Sequence, residues 1–476
     1  MQQLRFPTQQ RDVANQGNYK HRLVALLSED LDFHNQDSRS ASHNFHAFPA
    51  KFPPQLPQKF IASLTNPGEI VLDPMLGSGT TVLETFLAGR KGIGFDIDPL
   101  ALRIAQAKVT PLELPSLLQL ANTIVDRAQQ VALRHRDIVR QSLNHRWDEE
   151  TKSFVDYWFT PDVQIELLAL IEEIGKIDNS SLRAFFELAF SAIIITKSGG
   201  VSLALDLAHT RPHRAKLVAS KNGGIIFGNP DALASSSRMR VLTKPFRSPL
   251  EEFIKRVQQN IKGILQENAN RIHPLISFGD AQCLPLPDNV VDLIVTSPPY
   301  ASNAIDYMRA HKFALVWFGY TIAELGARRG KYIGGEILKN NFLELLPTQV
   351  TSVVAQIASL DHKKGVVLHR YYSEMTRTLR EMFRVLKPGK AAIIVVGSSM
   401  MRDKDTETSE CLAEIGRKIG FEVPKIGVRQ LDRDKRMLPA SATRNFHSQI
   451  QKRMHEEYVI GLYKPSRGGV TVNAEG

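Results

Sequence analysis

The sequence has only two cysteines, Cys283 and Cys411, and neither stands in a CxxC pair or beside histidines at metal-ligand spacing. Zinc modules and disulfide frameworks both need such clusters, so we predict no metal site and no disulfide. Apolar runs are also short, since the longest, such as 391–396, cannot span a bilayer. The first residues lack the apolar core of a secretory signal, so we expect a cytoplasmic protein with no membrane partner.

The composition is that of an ordinary globular protein, with 43% hydrophobic and 23% charged residues. A chain of 476 residues is too long for one typical domain, so we expect one large domain with an insertion. The formal net charge of +11 favours a polyanionic partner such as nucleic acid, although many unrelated proteins are also basic.

Strand and helix signals alternate in two separate regions of the chain. The β-branched run 70–72, the glycine turn 77–79, the helical pattern 80–88 and the short strand 93–96 make a βαβ unit. Such a unit predicts an α/β fold with a mostly parallel sheet flanked by helices. We divide the chain into an N-terminal arm (1–40), a first βα half (41–110), a mainly helical insertion (111–270), a second βα half (271–465) and a flexible tail (466–476).

The insertion shows apolar residues at helical spacing in 117–140, 163–177 and 182–196. Basic stretches follow at 210–216 and 235–240. A solvated lid, an oligomerisation module and a nucleic-acid contact all fit this pattern, and the sequence leaves them open.

The second half returns to strands and helices. The apolar strand 290–295 enters a Thr-Ser-Pro-Pro-Tyr loop, and a helix over 371–386 ends at Lys387-Pro388-Gly389. Strands are predicted at 391–396 and 458–462.

Residues 73–81 (DPMLGSGTT) lie where a parallel strand passes into a helix, the place where ligands bind in open α/β sheets. No Gly-Lys-Ser/Thr follows, so this is not a phosphate-binding P-loop. A second strand ends at Asp96, whose side chain can accept hydrogen bonds from ribose hydroxyls. Asp73 would repel a phosphate, so the two carboxylates favour a nucleoside that carries a cation. Asp98 precedes Pro99 and is predicted to cap the next helix, which leaves Asp96 for the ribose.

These motifs resemble those of the amino-methylating DNA methyltransferases of bacteria and archaea. DPxxGSGTT resembles the family's cofactor motif, and Thr-Ser-Pro-Pro-Tyr (296–300) resembles its catalytic loop. Residues 46–54 resemble the segment that closes over the methionine end of the cofactor, although a proline-rich loop without a special role is the alternative. Residues 279–281 resemble the third acidic position, which reaches the adenine amine. The resemblance covers roughly 43–110 and 275–400, and the long insertion between the two motifs resembles the family's alpha arrangement.

The resemblance implies a Rossmann-like class I methyltransferase fold, S-adenosylmethionine as cofactor and double-stranded DNA as substrate. It also implies a nucleoid-associated protein, with a restriction endonuclease or a defence system as a possible partner and the oligomeric state open. The implied cofactor-binding residues are Phe48, Lys51, Asp73, Pro74, Gly77, Ser78, Gly79, Thr80, Thr81, Asp96 and Asp280.

The implied catalytic residues are Ser297, Pro298, Pro299 and Tyr300. The prolines fix the backbone and turn the preceding carbonyls outward, so Ser297 and the Pro298 carbonyl can hold an exocyclic amine. Tyr300 would stack on a base extruded from the duplex. In the family, serine at the first loop position accompanies N4-cytosine methylation, so that product is the first choice and N6-adenine stays open. C5-cytosine methylation needs a cysteine, usually after proline, and neither cysteine here follows one.

The segment after the loop is expected to meet DNA. Asn303, Asp306 and Tyr307 are predicted to line the base pocket, and Arg309 or Lys312 to meet phosphates. Arg328 and Arg329 are either phosphate contacts or part of a solvated loop. We assign Trp317 and Phe318 to the core. An RNA methyltransferase of the same fold and a non-catalytic nucleic-acid-binding relative are the alternatives.

Overall fold

The computed structural model describes residues 14–34, 36–48, 51, 53–113, 115–207, 212–229, 242–265, 271–301, 306–335, 343–397, 399–431 and 456–466. Asn303, the stretch 235–240 and part of 210–216 lie outside the described residues.

The strands are β1 (Ile70–Asp73), β2 (Lys91–Asp96), β3 (Leu217–Ala219), β4 (Ile225–Phe227), β5 (Thr243–Pro245), β6 (Leu275–Phe278), β7 (Val291–Thr296), β8 (Leu386–Gly397), β9 (Met400–Met401), β10 (Lys404–Asp405), β11 (Glu422–Gln430) and β12 (Glu456–Tyr463). The helices are α1 (Ala14–Ser28), α2 (Gln55–Leu64), α3 (Thr80–Leu87), α4 (Pro99–Val109), α5 (Leu117–Arg134), α6 (Arg136–His145), α7 (Glu149–Trp158), α8 (Pro161–Gly175), α9 (Ser180–Ile194), α10 (Pro249–Ile261), α11 (Tyr307–Leu315), α12 (Ile322–Arg329), α13 (Thr348–Leu360), α14 (His362–Val385) and α15 (Thr408–Ile419), with 3₁₀ turns at Ala41–Asn44 and Val316–Phe318.

A seven-stranded sheet in the order β11-β12-β8-β7-β1-β2-β6 forms the centre of the molecule. The five strands from β8 to β6 run parallel, and β12 and β11 continue the sheet as antiparallel strands. Every residue of β1 and β7 is buried, as expected for parallel strands that helices cover on both faces. The predicted α/β fold with a mostly parallel sheet is confirmed.

Helix α1 packs on one face of this sheet. Leu23 and Leu27 share a buried cluster with Ile393 of β8 and Val459 of β12. The stretch 14–31 therefore belongs to the core of the sheet, which differs from the separate arm expected from its polar composition. Its few leucines, at helical spacing, are enough to bury one side of the helix.

The insertion is mainly helical, as predicted, and also carries a small sheet in the order β4-β3-β5. The expected single helix over 117–140 is two helices, because the chain breaks at His135 between α5 and α6. The insertion's core continues into residues after the catalytic loop, where Trp317 is fully buried and Phe318 is half-buried, so both lie in the predicted core. Among the described residues, no helix combines the length and apolarity that crossing a membrane requires.

Candidate active site

The sheet brings the glycine turn and the catalytic loop together, because β1 and β7 are adjacent parallel strands. Their last residues, Asp73 and Thr296, are both buried, and the Thr296 hydroxyl donates a 2.7 Å hydrogen bond to Asp73 Oδ1. At the start of α3, the Thr81 hydroxyl donates a hydrogen bond to the Val295 carbonyl at 3.1 Å. Two motifs far apart in sequence thus meet at the carboxyl edge of the sheet.

The glycine turn needs its glycines for two different reasons. Gly79 has φ 76°, and a Cβ added there would lie 2.7 Å from the Ala105 Cβ of α4. Gly77 has φ 50°, and its N–H donates to Asp96 Oδ2 at 2.8 Å. The turn therefore adopts a left-handed backbone and lets α3 approach α4 closely. The predicted turn residues Pro74, Ser78, Thr80 and Thr81 are all buried.

Two carboxylates at this edge, those of Asp73 and Asp96, have raised pKa values. Burial raises the pKa of Asp73 to about 6, although the Thr296 hydroxyl opposes the rise. The pKa of Asp96 is raised to about 7, mainly by burial of its side chain and also by the negative charge of Asp98. Both carboxylates would gain from hydrogen-bond donors or a cation placed between them.

Asp98 caps α4, which confirms the prediction from Pro99. Its Oδ1 accepts the Leu100 N–H at 2.8 Å, and its Oδ2 accepts from His311 Nδ1 at 2.6 Å and from the Tyr332 hydroxyl at 2.8 Å. Burial acts to raise the pKa of Asp98, but the charge and hydrogen bonds of His311, with those of Tyr332 and Leu100, outweigh burial and lower it. Asp98 thereby ties the cofactor half of the sheet to α11 and to the segment after α12.

The segment predicted to cover the cofactor contacts the glycine turn and α11. The ring of Phe48 stacks on Tyr307 of α11, with centroids 5.0 Å apart and planes 26° from parallel. A Cβ added to Gly77 would lie 3.4 Å from that same Phe48 ring. Lys51 donates to the His43 carbonyl at 2.8 Å, and burial lowers its pKa. Positions 49, 50 and 52 of this segment lie outside the described residues.

Asp280 follows the edge strand β6, directly beside the end of β2. The Gly279 N–H donates to the Asp96 carbonyl at 3.2 Å, and the Asp280 side chain accepts the Gln282 N–H at 2.9 Å. The third predicted acidic position therefore lies next to the second, separated by one strand spacing.

The residues at this edge fit a nucleoside cofactor. Asp73 and Asp96 offer acceptors for hydroxyl groups and a negative field for a cation. Among the described residues, His46 Nε2 and His311 Nε2 are buried without a hydrogen-bond partner. The His311 ring packs against Phe48, with centroids 5.4 Å apart, and the Phe48 ring in turn lies beside Gly77. Buried polar atoms without a hydrogen-bond partner, next to a glycine turn and two acids, suit a polar, positively charged ligand.

The catalytic loop leaves β7 with Ser297 and Pro299 half-buried and Pro298 buried. Tyr300 is only 8% exposed, and its hydroxyl donates to Glu457 Oε1 of β12 at 2.9 Å. Burial, reinforced by the charge of Glu457, raises the pKa of Tyr300 well above its ordinary value. The tyrosine hydroxyl is therefore a fixed donor, anchored behind the loop.

The predicted DNA contacts lie in different surroundings. The Asp306 carboxylate pairs with Arg309 at 2.7 Å and with Arg329 at 2.6 Å. The Lys312 ammonium lies 4.8 Å from the centre of the Phe154 ring, and burial lowers its pKa. Arg328 lies over Tyr320 of the same segment. The structure brings Asp306, Arg309 and Arg329 together and directs Lys312 toward the insertion.

Several polar residues of the site were not predicted from sequence. Lys108 is 1% exposed and donates to the Ser78 carbonyl at 2.7 Å, and burial holds its pKa well below its ordinary value. The sequence pattern that could have predicted its burial is the helical spacing of Lys108 with the apolar residues Ala101, Ile104 and Ala105 of α4. Glu457 carried no such signal, because nothing near it in sequence relates it to the loop.

Comparison with known proteins shows which proteins the chain resembles. The family model described as DNA methylase matches residues 14–107, from α1 to α4. The type II methyltransferase M.MvaI of Kocuria varians is 26% identical over 82% of this chain and 84% of its own length. The chain is therefore similar to the amino-methylating DNA methyltransferases over 82% of its length.

A second relative and a solved structure were also found to be similar. The type II methyltransferase M.BsoBI of Geobacillus stearothermophilus is 23% identical to this DNA methylase over 81% of the chain and 79% of its own length. A TehB-like SAM-dependent methyltransferase of Corynebacterium glutamicum covers 95% of the chain and 100% of its own, at 9% identity and a TM-score of 0.27, which is too low to carry an argument. This similarity supports an amino-methylating DNA methyltransferase with S-adenosylmethionine as its cofactor and DNA as its substrate.

Proposed function

We propose that this DNA methylase transfers a methyl group to N4 of cytosine in duplex DNA, at a base extruded from the helix. The observation that carries the proposal is Ser297, which follows the buried β7 and its Asp73-bonded Thr296. A serine at this loop position resembles the N4-cytosine members of the family. N6-adenine is the second candidate, because serine both donates and accepts hydrogen bonds.

The turn and its carboxylates would hold the cofactor. When bound, S-adenosylmethionine supplies a methyl group on a positively charged sulfur. Asp96 would accept hydrogen bonds from the ribose, Asp280 would accept one from the adenine amine, and Phe48 would cover the methionine end. The negative field of Asp73 and Asp96 favours a cation at this edge, and it disfavours phosphate cofactors.

The loop would prepare the amine. The lone pair of an exocyclic amine is delocalised into its ring, so the amine is a poor nucleophile. Hydrogen bonds donated by the amine to Ser297 Oγ and the Pro298 carbonyl would hold the nitrogen nearer tetrahedral geometry, with its lone pair toward the methyl group. The two prolines keep these acceptors rigid. Positioning of this kind is worth about 7–11 kcal/mol at most.

The surroundings of the loop would bind the duplex. We assign Asn303, Asp306 and Tyr307 to the base pocket, and Arg309, Lys312, Arg328 and Arg329 to phosphates. Arg309 and Arg329, which pair with Asp306 in the free protein, would exchange that carboxylate for phosphate oxygens. We assign target recognition to the insertion, residues 111–270. The type II names of the relatives suggest a restriction endonuclease as the partner enzyme.

The direct test is transfer of labelled methyl from S-adenosylmethionine to duplex DNA and, separately, to RNA, followed by nucleoside analysis. We expect N4-methylcytosine in DNA. N6-methyladenine would replace the first candidate by the second, and label confined to RNA, or recovered as 5-methylcytosine, would reject both. No transfer despite measured DNA binding would favour the non-catalytic reading.

A loop variant tests the role of Ser297. Ser297→Ala should bind S-adenosylmethionine with the wild-type dissociation constant and lose most of its turnover, because the lost hydroxyl would contact only the amine. Calorimetry and single-turnover methylation measure the two quantities. A loss of cofactor affinity instead would show that the loop is misassigned.

A further inference from the structure

The hydroxyl of Tyr300 is held from behind by a buried carboxylate. Glu457 Oε1 accepts this hydroxyl at 2.9 Å, and the two side chains are 8% and 7% exposed. The two residues are 157 positions apart in the chain, so the bond exists only in the folded protein. A phenol that donates to a carboxylate forms a charge-assisted hydrogen bond, stronger than one between neutral groups.

The carboxylate is itself fixed by an arginine. Arg429 of β11 lies directly opposite Glu457 of β12, and its Nη1 donates to Glu457 Oε2. The same guanidinium donates through Nε to the Leu31 carbonyl at 3.0 Å. Arg429 is 3% exposed, so the ion pair is enclosed and its two partners have little freedom. Each carboxylate oxygen of Glu457 thus has one assigned partner, Tyr300 or Arg429.

The sheet topology explains why these residues stand behind the loop. β12 runs antiparallel to β8 and begins where β8 ends, with Glu457 opposite Gly397. β8 in turn pairs with β7, whose last residue is Thr296. The first residues of β12 therefore lie at the carboxyl edge of the parallel strands, which is the edge that carries the loop.

We infer that Glu457, held by Arg429, is a positioning residue that fixes the ring of Tyr300 for stacking on the target base. The inference rests on the proposed function, in which Tyr300 meets the extruded base. A ring already held in one orientation loses less conformational freedom when the base arrives, so the base is aligned more often for transfer. The Leu31 contact makes the segment after α1 part of the same support.

The hydroxyl remains a donor at physiological pH, because burial and Glu457 raise the pKa of Tyr300 well above its ordinary value. Tyr300 and Glu457 therefore form one connected polar pair, and replacing Glu457 should change the position of the Tyr300 ring in the loop.

The experiment compares Tyr300→Phe, Glu457→Leu, Glu457→Gln and the double variant Tyr300→Phe/Glu457→Leu in the full-length protein. The duplex carries 2-aminopurine at the target position, whose fluorescence reports stacking of the extruded base. We expect Glu457→Leu to lower kcat on the order of tenfold to a hundredfold, to change the 2-aminopurine emission, and to leave the dissociation constant for S-adenosylmethionine unchanged. Tyr300→Phe should reproduce these changes. The kcat of the double variant should be no lower than that of the more impaired single variant, because both substitutions remove the same interaction. Glu457→Gln keeps an acceptor for the tyrosine and should recover part of the activity.

A matched control separates positioning from stability. Glu69 is 8% exposed and pairs with Lys390 at 3.1 Å, at the opposite, amino end of β1 and β8. Glu69→Gln breaks a similarly buried ion pair and should lower resistance to urea without changing kcat or the emission.

Three outcomes would overturn the inference. Glu457→Leu could resemble Glu69→Gln, with lower stability but wild-type kcat and emission. Additive losses in the double variant would also reject it. If Glu457→Leu does not fold, wild-type kcat and emission in both Tyr300→Phe and Glu457→Gln would reject it as well. Failure of the proposed function would be seen separately, as a wild-type protein that methylates another base or RNA.

Discussion

The Thr296 hydroxyl donates a 2.7 Å hydrogen bond to Asp73 Oδ1, joining the start of the Thr-Ser-Pro-Pro-Tyr loop to the end of β1. The two residues are 223 positions apart and both are buried. Because β1 and β7 are neighbouring parallel strands, their carboxyl ends meet. The position of the loop and the protonation of Asp73 are therefore coupled through one hydroxyl.

Replacing this hydroxyl should affect both stability and binding. Thr296→Val keeps the side-chain shape and leaves a buried carboxylate oxygen with one donor fewer, so the free energy of unfolding should fall by about 1–3 kcal/mol. The pKa of Asp73 should rise further, and cofactor affinity at pH 7 should fall. Urea unfolding and calorimetry measure these changes. Thr378→Val is the control, because that equally buried hydroxyl bonds only a helix carbonyl. Equal losses of stability and affinity in the two variants would contradict the prediction.

Cofactor binding should depend on pH through Asp73 and Asp96. Their pKa values of about 6 and about 7 lie above the ordinary carboxyl value, so both acids are partly protonated in the free protein near neutrality. A cationic ligand favours the charged forms, so affinity should increase from about pH 5.5 to about pH 8, with release of protons on binding. Asp96→Asn should bind weakly and with less dependence on pH. Affinity that is flat over this range in the wild type would contradict the prediction.

The same two acids also make the stability of the folded protein depend on pH. The folded protein keeps their protons to a higher pH than the unfolded chain, whose carboxyls titrate near pH 4. Their contribution to stability is therefore full below about pH 4 and is lost as the pH rises through 6 and 7. In Asp96→Asn, thermal unfolding should show a smaller loss of stability across that interval than in the wild type.

Gly79 should tolerate no side chain. In Gly79→Ala the new Cβ would meet the Ala105 Cβ at 2.7 Å, and φ 76° is itself strained for alanine. We expect a loss of about 1–3 kcal/mol from overpacking, in addition to about 1–2 kcal/mol from the backbone. Gly68→Ala is the matched control, because Gly68 has φ 79° with nothing within 4 Å of its Cβ position. Urea unfolding that gives the same loss for both variants would show that the approach of α3 to α4 is not tight.

Asp98 should contribute more than an ordinary helix cap. Asp98→Ala removes the cap of α4, worth about 1 kcal/mol, and leaves His311 Nδ1 and the Tyr332 hydroxyl without an acceptor, at about 1–3 kcal/mol. Asn179→Ala removes the exposed cap of α9, which bonds only backbone N–H groups, and should cost only the first amount. Chemical denaturation of the two variants gives the comparison. Equal costs would mean that His311 and Tyr332 find other partners.

The local features of this protein were determined by residues that are near one another in sequence. The strands β1, β2 and β7, the helix α3 and the cap at Asp98 follow from apolar runs, glycines and prolines within a few positions. Trp317 was assigned to the core for the same reason, since its neighbours are apolar. The ends of parallel strands share one edge, so the meeting of the glycine turn with the loop also followed once the strands were recognised.

Only the tertiary structure decided which distant side chains meet. Glu457 reaches Tyr300 because β12 runs antiparallel to β8, and no local pattern carries that strand order. The packing of α1 on the sheet and the pairing of Arg429 with Leu31 depend on the same arrangement. Hydrogen bonds act over a few ångströms, whereas the residues that form the Tyr300–Glu457 and Arg429–Leu31 bonds are 157 and 398 positions apart. Their contacts are therefore set by strand order and register, which only the folded chain specifies.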